Sequence, residues 1–105
     1  VVLKKWDINE EILILGRAND CDIQIDDQSV SSKHARLVTE ADPYLEGTQT
    51  IYIEDLRSTN GTELNGQKIT REVLNDNDII KIGFNLFRYV SNDQSHLEDT
   101  AVIIN

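Results

Sequence analysis

Cysteine, proline and histidine are scarce in this sequence. Of its 105 residues, one is cysteine, one is proline and two are histidine. The single cysteine, Cys21, excludes an internal disulfide and is typical of a reducing compartment, so we expect a cytoplasmic protein. The few cysteines and histidines form no cluster that could hold zinc, and we expect neither a metal nor a cofactor.

Long apolar runs and basic residues are scarce as well. No stretch approaches the roughly 18 consecutive apolar residues that a membrane span needs. The chain carries 10 lysines and arginines against 19 aspartates and glutamates, a net charge of −9. Such an acidic chain is not expected to bind nucleic acid or an anionic membrane as its main partner. Salt screens exposed charges beyond about 8 Å, so a few donors at short range can still bind an anion.

Motifs of enzymes and of calcium sites are absent too. Ser31 and His34 share one segment, but no Gly-x-Ser-x-Gly motif surrounds the serine and no acid is evidently placed to orient the imidazole. Residues 61–68 contain two glycines and a lysine without the adjacent Gly-Lys-Ser/Thr of a P-loop. The aspartates of residues 20–26 lack the glycine and the closing glutamate of an EF-hand. We therefore expect a protein that is not an enzyme.

The sequence consists of short β-rich segments separated by turn signals. Residues 12–15 form a short apolar run, residues 50–54 alternate polar and apolar, and no stretch repeats every 3.6 residues. Asn65-Gly66 favours the type I′ turn of a hairpin, because both residues accept positive φ angles. About ten short strands in one domain predict an all-β protein, an antiparallel β-sandwich or a barrel.

The most informative segment is residues 26–35, which lies between two predicted strands. It combines three serines with Lys33 and His34. Since this segment is a strand-to-strand loop, Ser31 and Lys33 can present a hydroxyl and an ammonium to solvent or to a ligand. Neutral donors beside a cation suit a doubly charged oxyanion such as a phosphate ester.

Six short motifs occur in a fixed order along residues 10–90. They are Gly16-Arg17, Asp22-Ile23, Val30-Ser31-x-x-His34-Ala35, Leu56-x-Ser58-Thr59-Asn60-Gly61-Thr62, Leu64-Asn65-Gly66 and Asp78-x-Ile80-x-Ile82-Gly83. This pattern resembles the forkhead-associated (FHA) domain family. The resemblance implies an antiparallel β-sandwich of about eleven strands, which binds phosphothreonine peptides through loops at one end. We expect this domain in residues 1–92, followed by an acidic-to-apolar tail or linker in residues 93–105.

The resemblance also implies roles for individual residues. Arg17 and Ser31 are implied phosphate ligands, Thr59 offers its hydroxyl to the phosphate, and Asn60 holds the peptide backbone. The physical chemistry agrees, because an arginine provides a planar fork for phosphate oxygens and the hydroxyls add neutral donors. Three positions are implied to be structural: Gly16, His34 and Gly61. His34 is expected to bridge loops from below.

Three further contacts have an alternative explanation. Many members of the family have arginine directly after the serine, where this chain has Ser32. Ser32 and Lys33 are therefore either additional phosphopeptide contacts or ordinary loop residues. Asn65 is either a peptide contact or simply the first residue of the hairpin turn.

The predicted function is phosphothreonine-dependent protein–protein interaction in signalling or scaffolding. The implied partner is a protein phosphorylated by a Ser/Thr kinase. The alternative is a β-sandwich interaction domain that binds an unmodified partner. Thr100 follows two acidic residues and precedes an isoleucine by three positions. We hypothesise that phosphorylated Thr100 is a ligand for another copy of the domain in head-to-tail self-association. The competing interpretation of this segment is a disordered end or the start of a strand.

Overall fold

Eleven short β-strands follow one another through the described residues. The structure is a computed structural model that describes residues 5–44, 47–91 and 99–103. The strands are β1 Lys5–Ile8, β2 Ile12–Gly16, β3 Ile23–Gln24, β4 Ala35–Ala41, β5 Gln49–Asp55, β6 Thr62–Leu64, β7 Gln67–Ile69, β8 Arg71–Val73, β9 Ile79–Ile82, β10 Asn85–Val90 and β11 Asp99–Ile103.

The strands form two sheets. One has six strands in the order β1-β11-β10-β9-β6-β7, and the other has five in the order β3-β2-β4-β5-β8. Every pairing of strands within the described part of the chain is antiparallel except that of β2 with β3. The predicted antiparallel β-sandwich of about eleven strands is confirmed.

The core lies between the inner faces of the two sheets. In β5, Ile51 and Ile53 are buried, and the intervening Tyr52 is only partly buried. The alternation predicted for residues 50–54 is therefore real, because successive side chains of a strand point to opposite faces. From the six-stranded sheet the core receives Ile82 and Phe87. Burying each such side chain contributes about 1.5–3 kcal/mol.

Strand β11 lies inside the six-stranded sheet. It pairs with β1 on one side and with β10 on the other, so that Thr100 lies opposite Asp7 and opposite Val90. We expected the domain to end at residue 92 and a tail or linker to follow. The pairing brings residues 99–103 into the sheet, so this part of the expected tail or linker is a strand.

The connections between strands divide into two groups. Residues 17–22, 25–34, 56–61 and 83–84 meet at one end of the sandwich, which we call the loop end. The opposite end carries the tight turns at residues 65–66 and 75–78, and we call it the turn end. Strand β6 runs from the first end to the second.

Within the described ranges there is no helix long and apolar enough to cross a membrane.

Candidate functional site

At the loop end, the backbone of the β2–β3 connection lies directly on that of the β3–β4 connection. The Arg17 N–H donates to the Ser31 carbonyl oxygen at 2.9 Å, and the Ala18 N–H donates to the Ser32 carbonyl oxygen at 3.2 Å. A Cβ added to Gly16 would lie 2.2 Å from the Ser32 carbonyl oxygen. This close approach therefore requires glycine at position 16, and it places Arg17 next to Ser31.

His34 joins this pair of loops to the β5–β6 loop. Its side chain is fully buried. The Ser31 N–H donates to Nδ1 at 3.0 Å, and Nε2 lies 2.8 Å from the Gly61 carbonyl oxygen. Since a carbonyl oxygen can only accept, the ring hydrogen is on Nε2 and donates to Gly61. Both nitrogens are thus used in bridging the loops, which is the arrangement expected of a structural histidine.

The β5–β6 loop is organised by Asp55, at the end of β5. Its carboxylate accepts from the Ser58 N–H at 3.1 Å, from the Ser58 hydroxyl at 2.5 Å and from the Thr62 hydroxyl at 2.8 Å. Desolvation opposes the charged form of this carboxyl, but the hydrogen bonds from Ser58 and Thr62 outweigh it, and the pKa of Asp55 lies below its usual range. The charged carboxylate therefore holds the loop in shape.

Ser31 and Thr59 meet where the two loops join. The Thr59 N–H donates to Ser31 Oγ at 3.0 Å. The Ser31 hydroxyl thus accepts one hydrogen bond and keeps its own hydrogen for a ligand. Thr59 and Arg17 are exposed, and no carboxylate within the described ranges forms an ion pair with Arg17. Two hydroxyls and one free guanidinium therefore belong to one solvent-facing corner.

Asn60 extends this corner toward the β9–β10 turn. Its Nδ2 donates to the Ser29 carbonyl oxygen at 2.8 Å. The side chain is exposed, and its Oδ1 remains able to accept a hydrogen bond from a ligand. Asn60 is thus oriented by the protein on one side and open to solvent on the other.

Lys33 is engaged within the protein. Its Nζ lies 2.6 Å from Asp20 Oδ1 and 3.9 Å from Cys21 Sγ. The hydrogen bond to Asp20 raises the pKa of the ammonium. The expected contact of Lys33 with a phosphopeptide is therefore opposed by an internal partner. The neighbouring Ser32 is exposed, and its carbonyl oxygen accepts from Ala18 N–H and from Cys21 Sγ.

The structure places Asn65 at the turn end, away from the other predicted ligands. Its Nδ2 donates to Asp78 Oδ1 at 2.9 Å, and its Oδ1 accepts from the Ile79 N–H at 2.9 Å. The residue has a φ of 50° and precedes Gly66 at 87°, as a type I′ hairpin turn requires. Of its two interpretations, this geometry favours the hairpin residue, because both polar atoms of the Asn65 carboxamide bond within the protein.

Thr100 is also placed differently from a free ligand. Its backbone lies in β11 between two hydrogen-bonded neighbours. An extended peptide that binds to the loops of another copy must expose its own backbone. Thr100 can act as such a ligand only when β11 leaves the sheet, and of the competing interpretations of this segment the strand is the one that the structure shows.

Two residues of the loop end were missed in the sequence, Asp27 and Ser29. Asp27 Oδ1 accepts from both the N–H and the hydroxyl of Ser29, each at 2.8 Å. The hydrogen bond from the Ser29 backbone is the main reason why the pKa of Asp27 lies below its usual range. The signal that could have identified the pair is the spacing Asp-x-Ser, because an aspartate commonly accepts from the backbone two residues on.

The described residues contain no group of three or more histidine, cysteine or acidic side chains arranged to hold a metal ion.

Comparison with known proteins gives consistent results. The family model described as FHA domain matches residues 13–83. The ABC transporter ATP-binding/permease protein Rv1747 of Mycobacterium tuberculosis is 44% identical over 69 residues, which are 66% of this chain and 7% of that protein. The chain thus spans only a small part of this curated relative.

Solved structures of similar domains superimpose on most of the chain. The FHA-2 domain of the same transporter has a TM-score of 0.64 and 31% identity, and the match covers 93% of this chain and 78% of that one. EmbR of Mycobacterium tuberculosis, solved in complex with a low-affinity phosphopeptide, has a TM-score of 0.67 and 32% identity over 82% of this chain and 21% of its own.

Proposed function

Because the chain belongs to the FHA domain family, we propose that it is an interaction module that binds phosphothreonine-containing proteins through its loop end. The observation that carries this proposal is the corner formed by Arg17, Ser31 and Thr59. The residues that carry an unpaired guanidinium and two hydroxyls are neighbours there, on loops whose shape is fixed from below by His34. The related EmbR, solved with a phosphopeptide, supports the same ligand class.

The phosphate group is the chemical centre of recognition. Arg17 supplies the charge and a planar pair of donors that match two phosphate oxygens. The Ser31 hydroxyl donates its remaining hydrogen, and the Thr59 hydroxyl adds a second neutral donor. Each charge-assisted hydrogen bond contributes about 1.5–3 kcal/mol. Three of them with the backbone contacts of the peptide give roughly −8 kcal/mol, which is micromolar affinity.

Asn60 supplies recognition of the peptide itself. Its Oδ1 is free to accept an N–H from the ligand backbone next to the phosphothreonine, while its Nδ2 is held by Ser29. Backbone recognition of this kind does not depend on the ligand side chains. The bound partner is therefore defined first by its phosphorylated threonine, which a Ser/Thr kinase must supply.

The proposed role is binding without catalysis. Both nitrogens of His34, the one imidazole at the site, are occupied by backbone groups, so the ring is not placed to move a proton at a ligand. We place the module in the cytoplasm, where the free thiol of Cys21 is stable and kinases act. Nucleic acid and membranes are not proposed as partners, given the net charge of −9.

Head-to-tail self-association through Thr100 is a conditional extension of the proposal. It requires that β11 be released from β1 and β10 before the threonine can reach a kinase or a second loop end. Phosphorylated chains should then associate only under conditions that open this strand.

The test is a titration of matched phosphorylated and unphosphorylated threonine peptides. We expect binding only to the phosphorylated set, and a loss of about 10- to 150-fold on Arg17→Ala or Ser31→Ala, by the size of a charged hydrogen bond. Arg88→Ala is the matched control, because Arg88 is an exposed arginine in the middle of β10. Equal binding of both peptide sets would instead establish a phosphate-independent interaction domain.

A further inference from the structure

We propose that Asp27 is a positioning residue for peptide recognition, which acts through Ser29 on two separate parts of the binding surface. One part is the carboxamide of Asn60, and the other is the β9–β10 turn at Gly83 and Phe84. This inference rests on the proposed function, since it names residues that prepare the same site. Neither residue needs to touch the ligand.

The first connection runs through the Ser29 backbone. Asp27 Oδ1 accepts the Ser29 N–H at 2.8 Å and so fixes the plane of this short turn. The Ser29 carbonyl oxygen then accepts Asn60 Nδ2 at 2.8 Å. Because a carbonyl oxygen cannot donate, it selects one of the two orientations of the Asn60 carboxamide. The selected orientation leaves Oδ1 for a backbone N–H of the ligand.

The second connection runs through the Ser29 hydroxyl. Ser29 Oγ donates to Asp27 Oδ1 at 2.8 Å and accepts from the Phe84 N–H at 3.1 Å. The other carboxylate oxygen of Asp27 accepts from Asn85 Nδ2 at 3.2 Å. One carboxylate thus holds the β9–β10 turn by two routes. A Cβ on Gly83 would lie 2.3 Å from Ser29 Oγ, so this contact also excludes any side chain there.

The two connections meet at one open cleft. Its lining includes Ser29, Asn60, Gly83 and Phe84, and its volume is about 180 Å³. The Phe84 side chain is 76% exposed and stands at the edge of this space. The Asp27–Ser29 pair therefore sets the direction of a polar group on one side of the cleft and holds the backbone of Phe84 on the other.

The effect on binding follows from the exposure of Asn60. An exposed side chain samples several rotamers, and a ligand that needs one of them must order it on binding. A side chain that is already ordered before the ligand binds avoids this cost, which strengthens affinity by roughly three- to tenfold per side chain. Asp27 should therefore act on affinity well beyond its effect on stability.

A double-mutant cycle tests this role. Asp27→Ala should weaken phosphopeptide binding about three- to tenfold, the cost of ordering one side chain, and this effect should fall below about twofold when Asn60 is already alanine. Asp78→Ala is the matched control, because Asp78 accepts backbone and carboxamide hydrogens in the same manner at the turn end. It should lower the Tm and leave the affinity unchanged.

A second variant separates the two connections and guards against misfolding. Ser29→Ala retains the backbone bonds to Asp27 and Asn60 and removes only the hydroxyl that holds Phe84. In the ligand-free domain, NMR should show a single protected Asn60 carboxamide in the wild type and in Ser29→Ala, and rapid exchange of its hydrogens in Asp27→Ala. The Phe84 amide hydrogen should lose protection in both variants.

The outcomes are distinguishable. An equal effect of Asp27→Ala in both Asn60 backgrounds, or an unchanged Asn60 carboxamide signal, overturns the positioning role. Absence of wild-type binding to any phosphopeptide overturns the proposed function instead. Even then, the ligand-free NMR measurement decides whether Asp27 orients Asn60.

Discussion

The dipeptide Asn-Gly occurs at both ends of strand β6, and its two copies behave differently. At the loop end, Asn60 is exposed and bonds across to another loop, while the carbonyl of Gly61 accepts the hydrogen of His34. At the turn end, both Asn65 and Gly66 have positive φ, and the carboxamide of Asn65 is consumed by its own hairpin and the adjacent turn.

The comparison shows that one local signal can specify a hairpin turn or a loop with an exposed carboxamide, depending on what faces it. In the first copy only Gly61 has positive φ, at 84°, so the backbone there does not form the type I′ hairpin. The loop is shaped by side chains instead, through Asp55 and His34. Because Asp55 and His34 shape this loop, the Asn60 carboxamide is not needed to form the turn, and its Oδ1 is left able to accept from a ligand.

The largest expected effect is that of His34→Ala, which removes the imidazole that holds Asn60-Gly61 and does not touch Asn65-Gly66. The Ser31 N–H and the Gly61 carbonyl would lose their buried partner, and we expect a loss of about 2–4 kcal/mol in the free energy of unfolding. Phosphopeptide binding should weaken as a consequence. Thermal unfolding and titration measure both quantities. A large loss of affinity at an unchanged Tm would instead make the imidazole a direct ligand.

The next effect separates the two asparagines. Asn60→Ala should reduce phosphopeptide affinity about tenfold with little change in Tm, since its side chain is exposed. Asn65→Ala should do the opposite: it loses two side-chain hydrogen bonds and puts alanine at a φ of 50°, and affinity should stay unchanged. We expect a destabilisation of about 2 kcal/mol. If both variants altered affinity alike, the functional distinction between the copies would be lost.

The smallest expected effect is a pH dependence of the free energy of unfolding that arises from Asp55 at the loop end. The pKa of Asp55 is lower in the folded protein than its usual value of about 3.9, so its carboxylate stabilises the fold fully above that value. The contribution is lost as pH falls through the lowered pKa. Unfolding followed from pH 6 to pH 2 should show a smaller acid-induced loss in Asp55→Asn than in the wild type. Equal losses in the two proteins would mean that the pKa of Asp55 is the same in the folded and unfolded states.

Much of the fold could be predicted because its signals are local. The alternation around Ile51 and Ile53 and the turn at Asn65-Gly66 each depend on neighbouring residues. For strand β11 the local signal leaves two alternatives open, a disordered end and the start of a strand. Its partners are residues 5–8 and 85–90, and an acidic residue at its start resembles a tail when those partners are not known.

The candidate site divides along the same line. Arg17, Ser31, Thr59 and Asn60 follow from a motif, and the structure brings them to one end of the sandwich. The direction of the Lys33 side chain cannot be predicted from the motif, because its ammonium pairs with Asp20, which lies 13 positions away in the sequence. The positive charge of a lysine in the sequence does not show whether its ammonium is already paired with a carboxylate of the same protein.

The central place of β11 has a mechanical consequence. Strand β1 begins at Lys5, which lies opposite Val102 near the end of β11, so the backbone enters and leaves this pair of strands at one side. A pulling force on these two points separates the strands one hydrogen bond after another, as a zipper opens, instead of shearing all bonds together. Tension along a polypeptide that carries this domain would therefore open the β1–β11 pairing first, while Thr100 would stay paired with Val90 of β10 until that second ladder also opened.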